Sequence, residues 1–74
     1  MRRNPVDSSS LASAGYDGER EVLEVEFRNG GVYDYLGVPA KVYRAFMEAE
    51  SKGRYLNAEI KPCFAYRTVR RAGR

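Results

Sequence analysis

The sequence predicts an α+β domain: a small antiparallel sheet of three to four strands with a central hairpin, one main helix packed on it and a short second helical turn. Three observations carry this. Leu23, Val25 and Phe27 alternate with Glu24 and Glu26, the period of a half-buried strand. Asn29-Gly30-Gly31 then offers a reversal into Val32 to Leu36. Finally, Gly37-Val38-Pro39 precedes Val42, Ala45, Phe46 and Ala49, whose spacings of three and four make a helical apolar stripe.

The elements follow in chain order. Residues 1–8 are poor in apolar side chains and read as a flexible lead, so the domain proper is expected over 9–69, with 70–74 as a basic disordered tail. Leu11 to Tyr16 reads as a first strand ending in the turn Asp17-Gly18, where glycine would accept positive φ. Glu21 to Arg28 is the second strand. A three-residue hairpin loop with a glycine bulge, preferred over a two-residue turn, sets Tyr33 and Tyr35 beside Phe27 and Val25; it also brings Asp34 near Glu26. Pro39 suits a first helical position and Gly53 a left-handed stop. Leu56 and Ile60, one helical turn apart before Pro62, give the second helical turn, and Phe64 to Val69 alternates as a closing strand.

Composition limits the chemistry. A chain of 74 residues, 43% hydrophobic and 31% charged, supports one small core and a single functional surface. Its one cysteine, Cys63, reads as a half-buried small hydrophobe, and without any histidine neither a zinc-finger spacing nor an imidazole base exists. No metal, cofactor or catalytic residue is assigned. No apolar run reaches the roughly 20 residues of a membrane span, so a cytoplasmic protein without membrane association is expected. Acidic residues gather between Asp17 and Glu50, while from Lys52 onward Glu59 stands alone among basic side chains. The basic end is the natural contact for phosphate.

Six tyrosines without a tryptophan, of which Tyr55 and Tyr66 lie within this basic stretch, point to base stacking combined with phosphate neutralisation. The expected ligand-binding set is Tyr33, Tyr35, Lys52, Arg54, Tyr55, Asn57, Lys61 and Arg67, with RNA or another nucleic acid or nucleotide as partner. The competing reading places about two-thirds of the tyrosines in core or rim packing. Ser51, Gly53, Tyr55 and Asn57 fit helix capping better than anion binding. A second functional reading is a protein-interaction module, including a phage-encoded inhibitor that acts on a host protein or sequesters a nucleotide signal. An open sheet edge would also allow pairing with a second copy.

The ordered series Ser9-Ser10-Leu11, Gly15-Tyr16, Leu23-x-Val25-x-Phe27-x-x-Gly30, Tyr33-x-Tyr35, Val38-Pro39, Val42-Tyr43, Ala49-x-Ser51-x-Gly53-x-Tyr55-x-Asn57 and Ile60-Lys61 resembles the KTSC domain. That family takes its name from a segment at the C-terminus of some lysyl-tRNA synthetases and also occurs as small separate proteins. The resemblance implies a non-catalytic domain with a suggested RNA-binding role, and it supplies no catalytic residues.

Overall fold

The computed structural model describes residues 3–73. Five antiparallel strands form one meander in the order β1-β2-β3-β4-β5. They are β1 (Asn4–Pro5), β2 (Leu11–Asp17), β3 (Val22–Phe27), β4 (Val32–Leu36) and β5 (Tyr66–Arg70). Between β4 and β5 the chain crosses one face of the sheet as α1 (Ala40–Glu48), α2 (Lys52–Tyr55) and a π-helical stretch (Leu56–Ile60). The expected three to four strands are therefore five. The extra pairing comes from Asn4–Pro5, which lies opposite Ala14 and Ser13. Two residues carry too little periodicity to be read as a strand, and their place in the sheet depends on tertiary contacts made by their neighbours. Val6 is buried and Arg70 closes β5, so the folded unit reaches beyond the expected boundaries at 9 and 69. Met1, Arg2 and Arg74, at the outer ends of the expected lead and tail, lie outside the described residues.

The hairpin between β3 and β4 has the expected parity. Phe27 N–H donates to the Gly31 carbonyl at 2.8 Å and Gly30 N–H to the Phe27 carbonyl at 2.9 Å, and Gly30 takes φ +98°. The loop is Arg28-Asn29-Gly30, one residue earlier than the glycine pair suggested. Tyr33 accordingly faces Val25 and Tyr35 faces Leu23, while Asp34 meets Glu24 rather than Glu26. Starting the loop one residue earlier slides the register by two, which preserves the face on which each side chain stands.

Bulges set what β2 and β5 present. The β2–β3 register shifts between Leu11 and Ser13, so Leu11 and Ala14 both enter the core while Ser13 turns to Glu26 on the other face. The β4–β5 register shifts between Val32 and Tyr33, which puts Arg67 opposite Asp34 and Arg70 opposite Val32 on that same polar face. Strict alternation would have separated these two arginines, three residues apart, onto opposite faces.

The core lies between the sheet and the helical layer. Leu11, Ala14, Leu23, Val25 and Tyr35 from the strands meet Val38, Phe46, Leu56 and Ile60. Phe46 is fully buried, a contribution of about 1.5–3 kcal/mol by area. Three local expectations change. Pro39 precedes the helix as its cap rather than sitting inside it, and α1 ends at Glu48 with Ala49 extended, well before Gly53. Ser51 starts α2 by accepting a hydrogen bond from Arg54 N–H at 3.3 Å, the capping role expected of it. Gly53 serves closeness instead of handedness, since a Cβ there would stand 3.0 Å from the Ser10 hydroxyl, which would have to give way. At the β2–β3 turn the positive φ falls on Glu21 at +57°, not on Gly18. Cys63 is exposed rather than half-buried, because it follows the π-helical stretch in an outward turn.

Candidate binding site

The helical layer leaves part of its side of the sheet uncovered, and the aromatic side chains of β3, β4 and β5 gather there. Phe27, Asn29, Tyr33, Tyr35, Lys61 and Tyr66 line a cleft of about 380 Å³. Register explains the assembly: Tyr33 and Tyr35 share a face because they are two residues apart, and Tyr66 joins them by pairing with Tyr35. Tyr33 stands edge-on to Phe27 (centroids 5.6 Å, 72°) and to Tyr66 (5.7 Å, 77°), and Tyr35 lies 6.1 Å from Tyr66. Edge-to-face contact of this kind fixes ring directions, since the positive rim of one ring meets the negative face of the next. Tyr35 is buried at the floor, and burial pushes its phenol pKa up. Tyr66 is 61% exposed at the lip, where a planar ligand can reach it.

Lys61 brings charge to the aromatic wall. Its Nζ lies 5.3 Å from the Phe27 ring centroid, a cation–π distance that holds the ammonium at the cleft while leaving donors free. Asn29 accepts from Gly31 N–H at 3.0 Å, which leaves its amide NH2 as the donor group of the hairpin tip. Rings, one cation and one amide donor suit a planar, phosphate-bearing ligand.

Of the residues expected to bind ligand, Tyr33, Tyr35 and Lys61 come together here. Lys52, Arg54, Tyr55 and Asn57 do not line the cleft. Lys52 and Arg54 belong to α2, Asn57 is exposed on the π-helical stretch, and Tyr55 packs 6.4 Å from Phe46 beside the core. Arg67 projects from the opposite face of the sheet. Phe27, Asn29 and Tyr66 were not in the expected set. Phe27 and Tyr66 had a readable signal, because strand alternation puts both on the tyrosine face; Asn29 had none, since its reach depends on the hairpin geometry.

The other face of the sheet is an ion-pair surface. Arg3 Nη1 lies 2.5 Å from Glu24 Oε2, and its Nε donates to Ser13 Oγ at 3.0 Å. Ser13 in turn donates to Glu26 Oε1 at 2.8 Å. Arg70 Nη2 approaches Glu26 Oε2 at 3.1 Å, and Arg67 Nη2 approaches Asp34 Oδ2 at 2.6 Å. Burial, then the nearby Asp34 carboxyl, raises the Glu24 pKa above the usual range against the lowering influence of Arg3. Glu26 moves the other way, chiefly through the Ser13 hydroxyl and also through Arg3 and Arg70. Among the described residues no group of His, Cys, Asp and Glu could hold a metal ion, and no helix is long and apolar enough to cross a membrane.

Known proteins resemble this chain in fold and in sequence. The crystal structure of a KTSC domain protein from Yersinia pestis superposes with a TM-score of 0.89 at 46% identity, covering 92% of this chain and 96% of that one. An uncharacterized protein of Stutzerimonas stutzeri is 50% identical over 62 residues, 84% of this chain and 87% of its own length. A lysine–tRNA ligase of Nostoc punctiforme contains a segment 33% identical over 60 residues, which is 81% of this chain but 11% of that enzyme. The KTSC domain model itself matches residues 7–64. Fold, motif order and matched length agree, and the chain belongs to the KTSC domain family.

Proposed function

We propose that this protein is a non-catalytic binding module that takes an unpaired RNA base, or a nucleotide of similar chemistry, into the cleft between Tyr66, Tyr33 and Phe27, with Lys61 on the phosphate. The observation that carries the reading is the cleft: about 380 Å³ walled by aromatic rings, with a lysine at one wall. Stacking on tyrosine tolerates any base, and the ammonium supplies the salt-dependent part of the affinity. The occurrence of a similar segment within a protein named as a lysine–tRNA ligase supports an RNA ligand over a free nucleotide.

Lys52, Arg54 and Asn57 would extend the contact along the helical side as an RNA strand leaves the cleft, whereas Arg67 would act only as background charge from the far face. Fluorescence anisotropy of labelled single-stranded RNA and DNA at two salt concentrations tests the proposal. Affinity at low salt that falls as salt rises supports it, and no affinity at low salt ends it.

A second reading, contact with a protein partner along β5, is favoured by the exposure of that whole edge strand, including Tyr66 and Val69. A nuclease-treated pull-down that retains one stoichiometric protein, together with absent RNA affinity, would select it.

A further inference from the structure

At the centre of the polar face, Glu24 on β3 and Asp34 on β4 are direct cross-strand partners. Both are buried, at 8% and 4% exposed. Side chains directly opposed across antiparallel strands have Cβ atoms about 4.5–5.5 Å apart, so two carboxyl groups here meet out of water. Two negative charges in that position repel strongly, and the partners available to each are uneven. Glu24 is held by Arg3 through Oε2, while Asp34 is held by Arg67 through Oδ2 only. Asp34 Oδ1 is buried with no hydrogen-bond partner. A buried acceptor left unmatched is costly, and the group standing opposite it is the Glu24 carboxyl.

We propose that Glu24 and Asp34 share one proton, donated by the Glu24 carboxyl to Asp34 Oδ1, which links β3 to β4 at mid-sheet. The pair then carries one negative charge, and the buried acceptor is matched. Three guanidinium groups, of Arg3, Arg67 and Arg70, face the carboxyl groups of Glu24, Asp34 and Glu26, so it is the unmatched Oδ1 and not the charge count that calls for the proton. Arg3 reaches Glu24 from the N-terminal segment, Ser13 on β2 turns its hydroxyl to Glu26, and Glu26 on β3 is matched by Arg70 from β5. Arg67 from β5 faces Asp34 alone. Asp17, Glu19 and Arg20, from the end of β2 and the turn after it, line the same groove, and Arg20 pairs with Asp17 at 4.0 Å. No further cation is directed at Asp34 Oδ1 among the described residues.

The proton makes the central hairpin sensitive to pH. Its loss leaves Oδ1 without a donor and sets two charges against each other, so stability conferred by the pair is complete below the ordinary glutamate range and is lost as pH rises through the raised value of Glu24. The test is a pH titration of the intact chain by nuclear magnetic resonance, reading the side-chain carboxyl carbons of Glu24 and Asp34. The expected result is a Glu24 curve whose upper step lies above the range of an exposed glutamate, with the Asp34 carbon sensing that same step. Glu24→Gln supplies a permanent donor to Asp34 Oδ1, so its melting temperature should lack the decline that the wild type shows across that upper step. A Glu24 signal that titrates in one ordinary step, uncoupled from Asp34, overturns the proposal, as do parallel melting profiles for wild type and Glu24→Gln. Should a variant fail to fold, the wild-type titration alone decides.

Discussion

Tyr16 and Tyr43 stack face to face, with ring centroids 4.5 Å apart and planes within 7°, and the Tyr16 hydroxyl donates to the Val38 carbonyl at 2.6 Å. One side chain of β2 thereby holds both the start of the helical crossing and the body of α1. The helix has no side-chain cap of its own, so this clamp carries much of its placement. Tyr16→Phe keeps the stack and removes the hydrogen bond; chemical denaturation should show a loss of about 0.5–1.5 kcal/mol. A double-mutant cycle of Tyr16 and Tyr43 with alanine should give a coupling of about 0.5–1.5 kcal/mol, and a coupling near zero would contradict the clamp.

Glu21 holds φ +57° at the end of the β2–β3 turn, where its carbonyl accepts from Val38 N–H at 2.8 Å. A side chain in the left-handed region is strained by about 1–2 kcal/mol, and at this exposed position nothing is gained from the carboxylate by burial. Glu21→Gly should raise the denaturation midpoint, by an equivalent of about 0.5–1 kcal/mol after the extra chain entropy of glycine is counted. An unchanged or lowered midpoint would show that the strain is matched elsewhere.

Glu26 predicts the opposite pH behaviour to Glu24. Its carboxyl is held below the unfolded value of 4.5, first by the Ser13 hydroxyl and then by Arg3 and Arg70. A lowered folded value means that its contribution is present above the unfolded value and disappears as pH falls through the folded one. Glu26→Gln should therefore be less stable than wild type at neutral pH, and the gap should close in acid. Urea midpoints at the two conditions measure this, and a gap that widens in acid would reverse the assignment.

At the aromatic cleft the proposed binding can be separated from folding. Tyr66 is largely exposed, so Tyr66→Ala should leave the melting temperature nearly unchanged while weakening single-stranded RNA by about 1–3 kcal/mol, the scale of one base stacked on an aromatic ring. Lys61→Ala should lower affinity at low salt and reduce the slope of log affinity against log salt by about 0.7, one phosphate contact on a single strand. Arg67→Ala, on the far face, should reduce affinity far less than Lys61→Ala. Equal losses from all three would place the ligand elsewhere.

Local pattern sufficed for the elements whose energetics are local. The alternation of Leu23, Val25 and Phe27 against Glu24 and Glu26, the glycines of the hairpin and the spacing of Val42 and Phe46 each follow from one strand or one helix burying one face. Those features determined the α+β class, the central hairpin and the shared face of Tyr33 and Tyr35. Tertiary structure decided the rest, because it turns on registers and bulges whose effects are felt only across strands. The bulge in β5 sends Arg70 to the acidic face that Arg67 already occupies opposite Asp34, which leaves Lys61 as the basic residue lining the aromatic cleft. The position of the hairpin loop pairs Asp34 with Glu24 rather than Glu26. The spacing of charges along the chain holds no record of which face each will occupy, since a single extra residue in a strand exchanges the two.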